Sequence, residues 1–253
     1  MRHMKKTGGI VLAGLLAGMV LAGEPPAAPP SLAVFDGEVA VCRRVVREYC
    51  AIVQKMAAVQ TLDKDQQAEG LRLLADARKQ WAAIQSKYAV NPPAEYAKDK
   101  TFPGRLRDFG NALEDMEKAL AAGDARRSLL ACGFGCGLFV QMHEQNGLNY
   151  ALDKLFHLRS DLKTTEAVMK TQGLAGVRPR MAALLQKRDA MLLTPPHFAP
   201  EHPKAAAYSS AVDDLSRAVD RLALAVAAGD AKQTEEILAN GLTLVNKAYG
   251  IAL

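Results

Sequence analysis

Residues 106–147, LRDFGNALEDMEKALAAGDARRSLLACGFGCGLFVQMHEQNG, decide the fold class. Leu106, Phe109, Leu113, Met116 and Leu120 recur at steps of three and four, the apolar seam of an amphipathic helix. Ala121-Ala-Gly-Asp124 breaks that seam, and Asp124 is a good N-cap for a helix running to about His143. Asn146-Gly147 then ends it. Two helices joined by a four-residue link are antiparallel neighbours, so the stretch predicts half of an up-down bundle.

The same pattern extends in both directions. Upstream, Val39, Cys42, Val46, Tyr49, Val53 and Met56 mark a first helix from Phe35 onward. Leu74, Ala77, Trp81, Ile84 and Tyr88 mark a second, with Trp81 and Tyr88 as core residues. Downstream, Leu148, Leu152, Leu155, Leu162 and Met169 give a fifth helix. Val177, Met181, Leu184 and Met191 give a sixth, with Pro179 in its first turn. Tyr208, Val212, Leu215, Val219, Leu222 and Val226 mark a seventh, and Asp230 to about Tyr249 an eighth. No stretch alternates as a strand would, so the chain is expected to be all-α.

The two halves read as copies. Ala121-Ala-Gly-Asp124 recurs as Ala227-Ala-Gly-Asp230, and Gly135 recurs as Gly241, both 106 residues on. Asn91-Pro-Pro93 matches Thr194-Pro-Pro196 at 103, so a three-residue insertion before the seventh helix reconciles the offsets. The organisation expected is two tandem up-down-up-down four-helix bundles, residues 35–146 and 147–253.

Ahead of them, Arg2, Lys5 and Lys6 precede the apolar run Ile10 to Ala22, with small residues Val20 and Ala22 placed for a signal peptidase. Residues 1–22 therefore read as a signal peptide and residues 23–34, containing EPPAAPP, as a Pro-rich linker. The apolar run falls short of the roughly 20 residues that cross a bilayer, so no stable membrane insertion is expected after cleavage. The 32 Lys and Arg, less the three of the leader, face 27 Asp and Glu, leaving the mature chain at +2. Charges of both signs are interleaved along the helices, which gives no support to a nucleic-acid partner. A periplasmic or secreted location follows, where four cysteines, Cys42, Cys50, Cys132 and Cys136, permit disulfides.

The fourth helix carries the unusual chemistry. Gly133, Gly135 and Gly137 each cost up to about 1 kcal/mol relative to alanine, which close approach by another helix or a flat ligand would offset. Cys132, Cys136, Phe139 and His143 share one stripe, expected to face the bundle interior. A helix ending in Ala-Ala-Gly-Asp, then a final helix with glycine and cysteine, resembles the class II cytochromes c (cytochrome c-prime and its b-type relatives). That resemblance implies haem held by a Cys-x-x-Cys-His motif on the fourth helix. Cys136 matches the first cysteine, but Phe139 stands at the second and Val140 at the ligating histidine. The second half has Leu242, Val245 and Asn246 there. The resemblance thus implies a degenerate haem-site stripe of Cys132, Cys136, Phe139, Val140 and His143. Non-covalent haem, as in the b-type relatives, would need Met56 and His143, which antiparallel helices put at opposite ends.

Other residues carry less. His157, one turn from Asp153 and Asp161, fits an exposed ion pair. His197 and His202 lie in a Pro-rich loop without a third ligand nearby. No Glu-x-x-His occurs, which disfavours a carboxylate-bridged di-iron site. His143 is the single candidate metal ligand, against an ordinary helix-terminal role. Level-matching of antiparallel first and fourth helices favours a Cys50–Cys132 bridge over Cys42–Cys136, with buried free thiols as the alternative. No nucleophile–base pair, phosphate loop or catalytic carboxylate pair is present, so no enzyme is expected. The sequence points to a non-enzymatic periplasmic protein that has no covalent haem and binds a partner protein or a small apolar ligand. The alternative is an electron-transfer protein holding haem or copper non-covalently through His143 and the cysteine-bearing helices.

Overall fold

The computed structural model describes residues 29–59, 63–196 and 198–253. The leader, most of the linker and His197 lie outside them. The described residues form eight α-helices and no strand: α1 Leu32–Val59, α2 Lys64–Tyr88, α3 Phe102–Ala121, α4 Ala125–Gln145, α5 Ala151–Val177, α6 Met181–Leu192, α7 Ala205–Ala228 and α8 Ala231–Ala252. Helix begins at Leu32, so the expected linker is shorter at its end than residue 34. Val177 closes α5 rather than opening α6. Gly173, with φ of 62°, breaks α5 one turn before its end, and Pro179 sits in a 3-10 turn that precedes α6.

Helices pack in ring order: α1 on α2, α2 on α3, α3 on α4 and α4 back on α1, then likewise from α5 to α8. Each ring encloses its own core. The first is aromatic, with Phe35, Trp81, Tyr88, Phe109 and Phe139 buried together. The second is aliphatic, built on Leu155, Leu184, Leu215, Val219, Leu238 and Val245. A buried Trp or Tyr needs a partner for its polar end. Trp81 donates its indole N–H to the Leu106 carbonyl at 2.7 Å. Tyr49 is hydrogen-bonded to Ser128, which donates to the Met116 carbonyl at 2.9 Å, tying α1, α4 and α3 together.

The repeated Ala-Ala-Gly-Asp segments take one geometry. Gly123 and Gly229 both have φ of 77°, the left-handed conformation that ends a helix. The amides of Asp124 and Asp230 reach back to the carbonyls of Ala119 and Ala225 at 2.8 and 3.0 Å. Their carboxylates then accept from the amides of Arg127 and Gln233 at 2.8 and 2.9 Å, capping α4 and α8. The two repeated glycines differ in use. A Cβ on Gly135 would lie 3.2 Å from Phe109 of α3, whereas one on Gly241 would lie 3.7 Å from Leu162 of α5.

The two rings meet along α1 and α4 on one side and α5 and α8 on the other. Arg43 donates to the Tyr249 hydroxyl at 2.7 Å, Arg47 to the Asn246 carbonyl at 2.8 Å, and Arg44 to the Leu253 carbonyl at 3.0 Å. Arg43, His143 and Asp153, the buried Arg, His and Asp side chains among the described residues, all lie at this junction.

Candidate functional site at the junction of the two halves

α1 exposes a second stripe beside its core seam. Ala40, Arg43 and Arg47 follow one another at three and four residues, and this stripe lies against the second ring. The end of α4 and the start of α5 complete the floor. His143 is 5% exposed, and its Nδ1 lies 2.8 Å from the carboxylate of Asp153, which is 1% exposed. The ring centroids of His143 and Tyr150 are 4.3 Å apart. Tyr150 in turn donates its hydroxyl to Asp36 of α1 at 2.6 Å. Burial and the bond to the Asp36 carboxylate hold the Tyr150 phenol well above its ordinary pKa, so it remains a donor throughout the physiological range.

Two cavities flank Arg43. One, of about 250 Å³, has an apolar wall of Val39, Ala40, Leu152 and Ala252, with Asp36, Arg43, His143 and Tyr150 at its polar points. The other, of about 120 Å³, lies towards Cys136 and Tyr249. Burial opposes the Arg43 charge, but Tyr249, Cys136 and Asp153 more than offset it and hold its pKa above the ordinary arginine value. Such a group in an apolar wall can orient a small ligand by one polar contact while the wall holds its body.

The structure divides the expected site stripe of α4 between three environments. Phe139 faces the first core, with ring centroids 4.7 Å from Phe109 and 5.7 Å from Trp81, and Val140 is buried too. Cys132 and Cys50 stand at disulfide distance, their Cα atoms 6.5 Å apart. Cys136 and His143 turn to the junction, each lining one of its cavities, so the expectation of one interior-facing stripe is corrected for both. The reason is that α4 packs on α1 and α3 and also meets the second half, so its stripe runs along the border of the first core, where Cys132 and Phe139 also reach the smaller cavity beside Cys136. Cys42 is buried separately in the first core, its thiol bonded to the Ala77 carbonyl at 3.5 Å.

The residues at the positions where the resemblance implied haem do not fit that group. Phe139 and Val140 offer neither a thioether carbon's sulfur partner nor a nitrogen, and Phe139 fills the space with Trp81 and Phe109. His143 lines a cavity with Ala33 and Gly37 at the start of α1, while Met56 lies three residues from that helix's end at Val59. The two candidate ligands are therefore a helix length apart. A space of about 250 Å³ lies below the volumes of sites for drug-sized molecules, and haem is larger than those. Two of the three glycines serve packing instead: Gly135 receives Phe109, and Gly137 approaches Phe156 of α5.

Of the remaining histidines, His157 and His202 have partners among the described residues. His157 lies 2.8 Å from Glu144 of α4, not on Asp153 or Asp161 of its own helix. His202 is exposed, accepts from the Lys204 amide at 3.1 Å and stacks on Phe198. Among the described residues no group of three or more His, Cys, Asp or Glu side chains is placed to hold a metal ion. No helix among them is long and apolar enough to cross a membrane.

The residues missed from the sequence are Arg43, Arg47, Asp153, Arg159 and Tyr249. One signal was present: Arg43 and Arg47 sit one turn apart beside the core seam of α1, where a solvated face and a second interface read alike. Compared with protein-family models, with curated proteins and with solved structures, the chain matches none.

Proposed function

We propose that this is an exported, non-enzymatic protein of the cytochrome c-prime type, two up-down-up-down four-helix bundles that kept the scaffold and lost covalent haem. Its ligand is a small molecule with an apolar body, held in the cavity between the bundles. The observation that carries this reading is the cavity of about 250 Å³, apolar in its wall and edged by the buried Arg43 and His143. The ring order of the helices, the matched caps and the two separate cores support the tandem bundle. A basic, apolar leader and a cysteine pair at disulfide distance support the periplasm.

Indole, small and apolar with one polar atom, tests the reading directly. A saturable rise in melting temperature with indole is expected, and Ala40→Trp, which fills the cavity, abolishes it. Absence of any saturable rise in the parent protein overturns ligand binding at this place. Protein from a haem-replete periplasm competent in c-type maturation tests the rest. A Soret band that survives acid-acetone extraction overturns the loss of covalent haem. An extractable one favours the electron-transfer alternative, with non-covalent haem reached through His143.

A further inference from the structure

The smaller junction cavity is one-sided in charge. Arg43 and Arg47 of α1 and Arg159 and Lys163 of α5 line its wall, and no Asp or Glu does. The cations come as two pairs, each with i,i+4 spacing, from helices that meet across the junction. Like charges one turn apart destabilise a helix, and here two such pairs face one void.

Their hydrogen-bond partners carry no charge, and the deeply buried Arg43 is held above its ordinary pKa, with Asp153 among the groups that hold it there. Arg43 and Arg47 donate to neutral oxygens, the Tyr249 hydroxyl and the Asn246 carbonyl. Arg159 lies over the Tyr249 ring at 4.6 Å and the Phe156 ring at 5.5 Å, and among the described residues it has no ion pair. Lys163, the most exposed of the four, has neither a hydrogen bond nor an ion pair among them. The nearby acids are engaged: Glu166 pairs with Lys170 at 2.8 Å, and Asp153 with His143. Leu253, also in the wall, gives its carbonyl to Arg44.

Burial, with the neighbouring Arg159 charge, pushes the Arg47 guanidinium and the Lys163 ammonium below their ordinary values. A lysine can yield its proton under such pressure, but arginine stays charged in proteins. An anion from outside would relieve that repulsion. The Arg47 guanidinium lies against Gly250, where a Cβ would displace this mobile end of the side chain.

We propose that this cavity binds a tetrahedral oxyanion, phosphate or sulfate, free or as the terminal group of a small metabolite, clamped between α1 and α5. Cations reaching a space of about 120 Å³ from two helices suit oxygens pointing in several directions better than a planar carboxylate. The anion would join the two halves through charge, where the protein's own contacts are made to neutral oxygens.

Calorimetric titration of the full chain with inorganic phosphate and with sulfate, at constant chloride, tests this. One saturable site is expected, with acetate binding more weakly than either. Lys163→Gln and Arg159→Gln should each weaken phosphate by about tenfold or more, the loss of one charge-assisted hydrogen bond, while Lys163→Arg retains it. Lys163 is exposed and without a bonding partner, so its glutamine variant should fold and, relieved of one like charge, melt no lower than the parent in phosphate-free buffer. Glycerol 3-phosphate separates the sources: tighter binding than phosphate assigns the site to a metabolite's terminal group, equal or weaker binding to the free ion. Absence of saturation by phosphate and sulfate up to about 10 mM, well beyond the millimolar limit of weak specific binding, overturns the proposal. So does binding that neither glutamine variant changes.

Discussion

Asp153 is the most consequential single residue of the junction. One carboxylate oxygen meets His143, and the other has no hydrogen-bond partner among the described residues. Removing one member of a buried pair leaves the other uncompensated. His143→Ala should therefore lower the unfolding free energy by about 3–5 kcal/mol, whereas a double change of His143 and Asp153 to leucine should restore most of it. Urea denaturation of the three proteins decides this, and a loss under about 1 kcal/mol in the single variant would show the pair is dispensable. A second residue-scale effect comes from alkali. Burial pushes the Cys42 thiol from 9.0 up to about 12 and the Tyr49 and Tyr208 phenols from 10.0 up to about 12. The folded chain thus keeps protons that the unfolded chain has lost. Stability from these groups is whole below pH 9 and falls as the pH rises towards 12, by up to about 1.4 kcal/mol per unit for each group. Between pH 9 and 10 Cys42 acts ahead of the tyrosines, so Cys42→Ala should flatten the decline in urea midpoint there. An unchanged decline would place its cause elsewhere.

Element by element, the seams were legible because a buried helical face repeats at three and four residues whatever its tertiary setting. Val39, Cys42, Val46, Tyr49, Val53 and Met56 are all buried as that spacing requires. The caps were legible too, since Asp124 and Asp230 each act through the amide three residues on. What short-range pattern could not show was the junction that α1 and α4 make with the second half. Arg43 and Tyr249 are 206 residues apart, and nothing local marks either as the other's partner. The glycines of α4 make the difference measurable. Gly133 has nothing within 4 Å of a Cβ, so Gly133→Ala should stabilise by about 0.5–1 kcal/mol through helix propensity alone. At Gly135 the same gain is opposed by Phe109 at 3.2 Å and Met116 at 3.4 Å in a filled core. Gly135→Ala should lose about 1–3 kcal/mol. Thermal melts of the two variants should move in opposite directions; movement in the same direction would mean that α3 and α4 are not in such close approach.

At the scale of the whole molecule, the halves differ in what holds them. The first has the Cys50–Cys132 pair, 82 residues apart, which as a closed bridge would contribute on the order of 4 kcal/mol by the chain-entropy model. Non-reducing peptide mapping should recover that linkage and leave Cys42 and Cys136 open to alkylation after unfolding. Four alkylatable thiols would eliminate the bridge. The second half has no cysteine and relies on its aliphatic core, which makes it the sharper test of autonomy. Leu155, Leu184, Leu215 and Leu238 from all four of its helices are each 1% exposed or less, a core to which α1 to α4 add, among the described residues, only the partly buried Ala40. Residues 148–253 expressed alone should therefore be helical and melt cooperatively. They should also melt lower than the full chain. Separation removes the bonds from Arg43 to Tyr249, Arg47 to Asn246 and Tyr150 to Asp36, each contributing about 1 kcal/mol. For a domain of this size a loss of that order lowers the melting temperature by roughly 10 °C or more. Asp153 works the other way, because exposure to water in the fragment relieves its burial and softens the loss. In the fragment, then, Asp153→Asn should be nearly neutral, while in the full chain it weakens the pairing with His143 and lowers the melting temperature. A fragment that unfolds without cooperativity would mean that the eight helices share one core across the junction, and that the separateness of the two rings is geometric without being energetic.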